Sequence, residues 1–298
     1  MALSAWAWPR LAGAQDSPRW ASDPFALGVA SGMPRADSVV LWTRLAPLGE
    51  DVAEREARAP CTVRWEVFAD EALRRRVAQG EQVTDAARGF SVHAQVAGLA
   101  PQRTYWYRFS CGDAQSRVGR TRTAPAAGAE VKRLRLALAS CQHYEYGYYV
   151  AHREIAGREL DAVVFVGDYI YEGNINASLA QRRHGASVPH SLDEYRARHA
   201  LYKSDPDLQA SHAAHPWILT WDDHEVVNDY AGDREPAPTG TEAFLRRRAA
   251  AYRAYFEHMP LALGPDGPDM RIHDRFAWGD LADIWTLDCR QYRSHHAC

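Results

Sequence analysis

Potential metal ligands and charged groups directly follow four apolar segments of the chain. They lie in residues 140–142 (Ser-Cys-Gln), 167–172 (Gly-Asp-Tyr-Ile-Tyr-Glu), 222–225 (Asp-Asp-His-Glu) and 288–290 (Asp-Cys-Arg). Carboxylates beside buried strands are costly in free energy unless they are paired or bind a cation. Solvated loops explain one or two such segments, but four together favour a binding site.

Three of these side chains suit the same metal ion. Asp168 follows an apolar run, and a carboxylate in that position can bridge two cations about 3.5–4 Å apart. Tyr171 stands three residues further on and can bring a phenolate to the same ion. Cys141 offers a thiolate, a soft ligand that suits a redox metal better than Ca²⁺ or Mg²⁺. A single cysteine or tyrosine is more often core packing, but together these residues predict a two-metal hydrolase.

The acidic segment 222–225 suits a second, harder cation. Asp222 and Asp223 offer oxygen donors, and His224 can protonate a leaving oxygen or stabilise charge on a phosphoryl group. The same residues also fit the acidic first turn of a helix, so both interpretations stay open. The zinc motif H-E-x-x-H is not met, because Asn228 stands at its last position.

Strands and helices alternate in the second half of the chain, which predicts an α/β domain over residues 133–298. The expected strands are 134–139, 162–166, 217–221 and 282–287, and the expected helices are 148–160, 193–203 and 241–258. We expect the second helix to end before Pro206 and the third to be capped by Thr241. Open α/β sheets bind ligands at the carboxyl ends of their strands, where the four polar segments fall.

The first half of the chain has the pattern of an all-β domain over residues 24–124. Its expected strands are 39–43, 62–67, 90–96 and 104–109, with turn residues between them. An aromatic strand shortly after a Leu-x-Pro turn is common in immunoglobulin-like and fibronectin-like sandwiches. The Ala/Pro/Gly-rich residues 123–129 are the expected linker, and the strands before it are expected to be self-contained.

Composition excludes several classes of function. The chain has 298 residues, of which 46% are hydrophobic and 24% charged, and its formal net charge is −3. The chain lacks the excess of basic residues that would indicate specific nucleic-acid binding. No apolar stretch reaches the ~20 residues that a membrane span needs. We expect a monomer that acts on small molecules.

The first residues resemble a targeting segment more than part of a domain. Residues 1–15 are rich in Ala, Leu and Trp and end near Ala12-Gly13-Ala14, which fits a small-x-small cleavage site. The positively charged start of an export signal is missing, since the first basic residue is Arg10. A shortened export signal is favoured over a frayed amphipathic terminus, so residues 1–23 are interpreted as a residual signal-like segment.

Five cysteines form no Cys-x-x-Cys pattern, and their odd number leaves at least one thiol outside any intramolecular disulfide. If Cys141 is reserved for chemistry, the other four allow three pairings. The local choice joins Cys61 with Cys111 and Cys289 with Cys298.

The polar segments also carry a family resemblance. Ser-Cys-Gln at 140–142, Gly-Asp-Tyr-Ile-Tyr-Glu at 167–172, Trp-Asp-Asp-His-Glu-Val at 221–226 and Arg-Gln-Tyr-Arg at 290–293 are similar to motifs of the PhoD-type alkaline phosphatase family. Residues 25–32 resemble that family's N-terminal β-sandwich. The resemblance implies a metallophosphatase-like layered α/β sandwich with mixed sheets and flanking helices. It also implies hydrolysis of phosphate monoesters and diesters, an iron site (Fe³⁺), calcium, and a periplasmic or secreted location.

The resemblance implies a role for each matching residue. Cys141, Asp168 and Tyr171 are expected on the iron, and Asp168 also on calcium. Asp223 takes the position where related metallophosphatases carry a metal-binding Asn. His224 matches the active-site histidine. Two further positions are expected to contact metal or phosphate, with Asn228 assigned to metal and Arg290 to catalysis.

Two departures from the family pattern shape the expectations. The twin-arginine export signal of the family is absent, and nothing after Asn228 matches the family's later Gly-Asp-x-His segment. We therefore expect a catalytic domain that is incomplete at its C-terminus, with weak metal binding and doubtful activity as it stands. The alternative function is a non-catalytic extracytoplasmic binding protein that keeps the scaffold, and metal content separates the two.

Overall fold

The computed structural model describes residues 19–46, 59–236 and 240–294. Within them the strands are β1 (Val29–Gly32), β2 (Val39–Arg44), β3 (Cys61–Phe68), β4 (Arg76–Thr84), β5 (Ser91–Val96), β6 (Thr104–Cys111), β7 (Ala114–Gln115), β8 (Gly119–Arg122), β9 (Leu136–Ala139), β10 (Ala162–Val166), β11 (Pro216–Thr220), β12 (Asp274–Trp278) and β13 (Ala282–Thr286). The α-helices are α1 (Val150–Ala156), α2 (Leu192–Lys203), α3 (Pro206–Ala214) and α4 (Thr241–His258).

A six-stranded mixed sheet runs through both halves of the chain in the order β5-β2-β1-β11-β10-β9. The neighbours from β9 to β1 are parallel, and β1, β2 and β5 pair antiparallel. Strands β10 and β11 are apolar almost throughout because both of their faces are covered. Tyr195, Leu208 and Tyr252 of three helices pack on one face, and Phe276 of β12 packs on the other. The mixed sheet with flanking helices agrees with the expected α/β architecture.

A second, antiparallel sheet has the order β4-β3-β6-β7, and β8 also pairs with β6. It faces β1, β2 and β5 across a dense apolar core. Leu41 of β2, Val63 of β3 and Phe109 of β6 are fully buried in this core. The first half of the chain is therefore a two-sheet sandwich, as its alternating strands predict.

The expectation that these strands are self-contained is wrong. β1 pairs in parallel with β11, with Ser31 opposite Pro216 and Gly32 opposite Trp217. All four residues of β1 are buried, so both of its edges require a hydrogen-bonded neighbour. An immunoglobulin-like or fibronectin-like fold is not confirmed for residues 24–124, and the domain boundaries stay predictions.

The helices follow the sequence pattern with three corrections. The first expected helix, 148–160, spans only Val150–Ala156. Helix α4 spans Thr241–His258 as predicted, but its N-cap is Gly240 (φ 85°), and no side chain caps it. Helix α2 ends before Pro206 as expected, yet a further helix begins there. Asp205 accepts hydrogen bonds from the amides of Asp207 and Leu208, and Pro206 fits the first turn, where its missing N–H is not needed.

The last predicted strand does not join the main sheet. Strand β13 instead forms a hairpin with β12, in which Asp274 lies opposite Thr286. Its alternating exposure, with Trp285 63% exposed, shows why it is not a fully buried strand. The hydroxyl of Thr220 donates to the carbonyl of Leu287 at 2.9 Å. This contact brings the end of β13 beside the end of β11.

The local disulfide pairing of Cys61 with Cys111 is wrong, because the structure does not join these two residues by a disulfide bond. Cys289 also forms no disulfide in the structure, and its suggested partner Cys298 lies outside the described residues.

None of the helices in the described part of the chain is long and apolar enough to cross a membrane. The signal-like residues 1–15 lie outside the described residues.

Candidate metal centre

The loops after β9 and β10 place Cys141 and Asp168 side by side. Both residues adopt the left-handed backbone conformation, with φ of 57° and 56°. Gly167 precedes Asp168 with φ of 108°, and a Cβ added to it would lie 2.4 Å from the amide nitrogen of Asp222. Only glycine therefore lets the loop after β10 touch the loop after β11. This close approach explains the Gly-Asp pair at the end of the strand.

Donors from two side chains converge on one oxygen of Asp168. The Sγ of Cys141 lies 3.3 Å from Oδ2, and the hydroxyl of Tyr171 donates to the same oxygen at 3.0 Å. The other oxygen, Oδ1, is buried and has no hydrogen-bond partner. Burial raises the pKa of this carboxyl group. A buried carboxylate oxygen without a donor is the feature that a bound cation would satisfy.

Asp223 and His224 of the next loop complete a potential cation-binding group with Asp168. One ligand atom of each residue lies within 4.8 Å of the others. Burial also raises the pKa of the Cys141 thiol and of the Tyr171 phenol, and in each the nearby Asp168 carboxylate raises it further. The thiol and the phenol therefore keep their protons and donate hydrogen bonds to Asp168. A cation that displaced these protons would gain the sulfur of Cys141 and the phenolate oxygen of Tyr171 as ligands.

His224 is held by a carboxylate that sequence reasoning left without a role. Its Nδ1 lies 2.7 Å from Oε2 of Glu172, and its ring packs 4.1 Å from that of Tyr171. Burial by itself would lower the pKa of His224, but the hydrogen bond and charge of Glu172 reverse the effect and raise it to about 8. The other oxygen of Glu172 accepts from the amide of Asn228 at 2.9 Å.

Glu225 is a second carboxylate that sequence reasoning missed. It is 1% exposed and accepts the backbone amides of Tyr169 at 2.6 Å and Asp222 at 2.9 Å. Burial raises its pKa to about 8. The side chain thus ties the loop after β10 to the loop after β11. Only its place in the Asp-Asp-His-Glu segment hinted at this, because its partner Tyr169 is 56 residues away.

Arg290 approaches the site from the end of the hairpin. Its Nε donates to Asp222 at 2.5 Å, and its second terminal nitrogen lies 3.4 Å from Oδ2 of Asp223. Asp288 holds the turn by accepting from the amide of Arg290 and from the indole of Trp221. The structure therefore brings Arg290 to the acidic loop, where it faces carboxylates.

Asn228 lies near the group but is not part of it. Its side-chain amide donates to Asp229 at 3.0 Å, and its backbone amide is used by Glu172. Asp229 in turn donates its backbone amide to Asp223 at 2.6 Å. The segment 228–229 therefore supports Asp223 and Glu172 in this structure, and the metal role of Asn228 stays a prediction.

The fold and this cluster define an α/β protein with a candidate cation-binding site at the carboxyl ends of its central strands. The family model of the PhoD-like phosphatase matches residues 136–298, and the family model of its N-terminal domain matches residues 10–125. The chain therefore belongs to the PhoD-like phosphatase family. The family resemblance of the sequence motifs is thereby confirmed.

Two relatives show the extent of the similarity. Alkaline phosphatase D of Bacillus subtilis (strain 168) is 47% identical over 287 residues, which are 94% of this chain and 49% of the relative. A solved structure of PhoD superposes with a TM-score of 0.90 at 46% identity, over 94% of this chain and 55% of the other. The chain therefore spans about half the length of the relatives that it matches.

Proposed function

We propose that the protein hydrolyses phosphate monoesters and diesters at a metal centre built around Asp168. The observation that carries the proposal is the convergence of Asp168, Asp223 and His224, together with the buried oxygen of Asp168 that no donor satisfies. Membership of the PhoD-like phosphatase family supports the reaction class. Small phosphate esters are the proposed substrates.

The donor types support a pair of unlike cations. Cys141, Asp168 and Tyr171 would hold an iron ion, because a redox metal accepts a thiolate and a phenolate as ligands once both groups have lost their protons. Asp168 and Asp223 would hold calcium, which prefers carboxylate oxygen. Bound cations at such a site polarise the phosphoryl group and generate a nucleophile from water.

The chain's own residues supply the proton and the positioning. Glu172 fixes His224 through Nδ1, so its Nε2 is the nitrogen available to donate a proton to the leaving oxygen. The carboxylate of Glu172 favours the protonated form of His224, because its hydrogen bond and charge raise the pKa of the imidazole. Glu225 holds the two ligand-bearing loops together, and Arg290 is proposed to contact the phosphate once substrate competes with Asp222.

The substitution Asp168→Asn tests the proposal on the full chain. With iron and calcium supplied in excess, we expect the wild type to bind both ions, and we expect bound metal and hydrolysis of p-nitrophenyl phosphate and its bis-diester to fall by at least ~100-fold in the variant. Asp113→Asn on an exposed turn is the matched control and should change neither. Wild-type protein that binds neither ion in excess, or hydrolysis that survives Asp168→Asn, would overturn the proposal.

An extracytoplasmic location, periplasmic or secreted, is proposed together with the activity. Its support is the family resemblance and the small-x-small segment near Ala14. A monomeric state is proposed alongside it, and light scattering of the purified chain measures it directly.

A further inference from the structure

A cleft of about 880 Å³ opens at the end of the central sheet opposite the candidate metal centre. Arg135 and Asp161 line it and stand directly before β9 and β10, whereas Cys141 and Gly167 follow these two parallel strands. Strands of four and five residues separate the two locations by about 15 Å. The cleft is therefore distinct from the metal centre.

Positive charge exceeds negative charge in this basic cleft. Its lining holds three carboxylates and five cations, which are Arg120, Arg122, Lys132, Arg133 and Arg135. Three of the cations form ion pairs. Arg122 lies 3.3 Å from Asp161, and Arg135 lies 3.2 Å from Glu159. Lys132 lies 3.9 Å from Glu130. Among the described residues, Arg120 and Arg133 form no ion pair, although the charges of Glu159, Asp161 and Glu71 reach Arg120. The lining of the cleft therefore has two more positive than negative charges, in a chain whose net charge is −3.

The buried side of the cleft holds one guanidinium group with few partners. Arg120 is partly buried and donates one N–H to the carbonyl of Ala214 at 3.1 Å. Burial, followed by the charge of Arg122, lowers the pKa of Arg120. Arg122 is not open in the same way, because its Nε already pairs with Asp161. An anion that accepted from the other N–H groups of Arg120 would offset the cost of burying this guanidinium.

We propose that the basic cleft binds a small ligand with two linked phosphate groups, at a site separate from the metal centre. Guanidinium groups bind phosphate oxygens through paired hydrogen bonds, and Arg120 and Arg133 offer two forks that form no ion pair among the described residues. The volume is that of a site for a small molecule and exceeds the size of a single phosphate ion. This inference stands on the cleft alone and does not depend on the proposed hydrolysis.

Calorimetric titration of the full chain with methylenediphosphonate tests this site, because the P–C–P bridge of the probe resists hydrolysis. We expect saturable binding that weakens at least about tenfold in the double variant R120Q/R133Q. The double variant R74Q/R117Q removes two exposed arginines elsewhere on the surface and should bind as the wild type does. Asp223→Asn alters the metal centre and should retain the binding assigned to the cleft.

Anions with a single charged centre show whether two guanidinium groups bind the ligand together. Orthophosphate and sulfate, which carry one anionic centre, should bind at least about tenfold more weakly than the diphosphonate if two forks act together. The single variant Arg133→Gln alters an exposed side chain and keeps the test valid if R120Q/R133Q fails to fold. No saturable binding by the wild type, equal binding by Arg133→Gln, or loss of all binding in Asp223→Asn would overturn the proposal.

Discussion

The candidate metal centre rests on carboxylates whose roles differ although they lie close together. Asp168 has a buried oxygen without a hydrogen-bond partner, whereas the oxygens of Glu172 and Glu225 form hydrogen bonds with His224 and with backbone amides. The first arrangement suits a cation, and the other two suit positioning. Chemistry and support are therefore divided among neighbouring acids by what each oxygen contacts.

The substitution Glu172→Gln tests the positioning role at the residue scale. An amide cannot stabilise the imidazolium of His224 as a carboxylate does, so we expect kcat to fall about 10- to 100-fold. Metal content should stay unchanged, because Glu172 is not among the atoms that converge on Asp168. Glu154→Gln on the surface is the control. A large loss of metal with unchanged kcat per bound metal would contradict this assignment.

The sequence predicted the residues that carry candidate ligand atoms, but not the carboxylates that position those residues. Cys141, Asp168 and Tyr171 were predictable together because each follows a strand end at short spacing. Glu172 and Glu225 were not, since their partners lie 52 and 56 residues away and only the fold joins them. Arg290 was predicted to contact metal or phosphate as a catalytic residue, and in the structure it contacts the carboxylates of Asp222 and Asp223.

At the scale of elements, two strands end in loops that must touch. The loops after β10 and β11 meet at Gly167 and Asp222, and Glu225 bridges them. Backbone contact of this kind admits no side chain, so the site depends on the conformational freedom of one glycine.

Gly167→Ala should disrupt this contact. The added Cβ would lie 2.4 Å from a backbone nitrogen at a φ of 108°, and we expect a loss of about 2–4 kcal/mol in the free energy of unfolding. Gly173→Ala in the same loop is the matched control, because nothing lies within 4 Å of its added Cβ. Urea unfolding of both variants measures the difference. Equal stabilities would show that the loops do not approach as closely as described.

Strand positions were more predictable than strand partners. The apolar runs of β10 and β11 and the long helix α4 were visible because their patterns are local. The pairing of β1 with β11 was not, since it joins residues 31 and 216 and leaves no local signature. For the same reason β13 was placed in the wrong sheet.

This pairing predicts the behaviour of residues 24–124 expressed alone. The fragment loses the β11 neighbour of β1 and the contact of Ala213 with its core, and the indole of Trp42 loses its acceptor at Glu257. We expect aggregation or a strongly destabilised fold, measured by size-exclusion chromatography and NMR dispersion. A monodisperse fragment with a well-dispersed spectrum would show that the sandwich is independent after all.

At the scale of the whole molecule, several histidines lie in the interior of the described part of the chain, where burial favours the neutral imidazole. Burial lowers the pKa of His93 and of His152 to about 4, and it also lowers the pKa of His199, His212 and His258 well below the ordinary value. In the unfolded chain these histidines titrate near their ordinary value of 6.5. The unfolded state therefore binds more protons than the folded state in acid.

This difference predicts that stability falls as the pH drops below 6.5. His93 and His152 each cost about 2 kcal/mol at pH 5, since the folded state holds them neutral down to about pH 4. The comparison of wild type with His93→Gln isolates one group, because the variant should lose less stability between pH 7 and pH 5. Identical pH dependences of the two unfolding free energies would contradict the sign argued here.

X-ray diffraction at the iron absorption edge tests the central claim most directly. In crystals of the metal-loaded chain, we expect an anomalous peak within bonding distance of Cys141, Asp168 and Tyr171. The peak should vanish in Cys141→Ala crystals of the same fold. Iron bound elsewhere, or a peak that Cys141→Ala leaves unchanged, would contradict the assignment of this cluster as the metal centre.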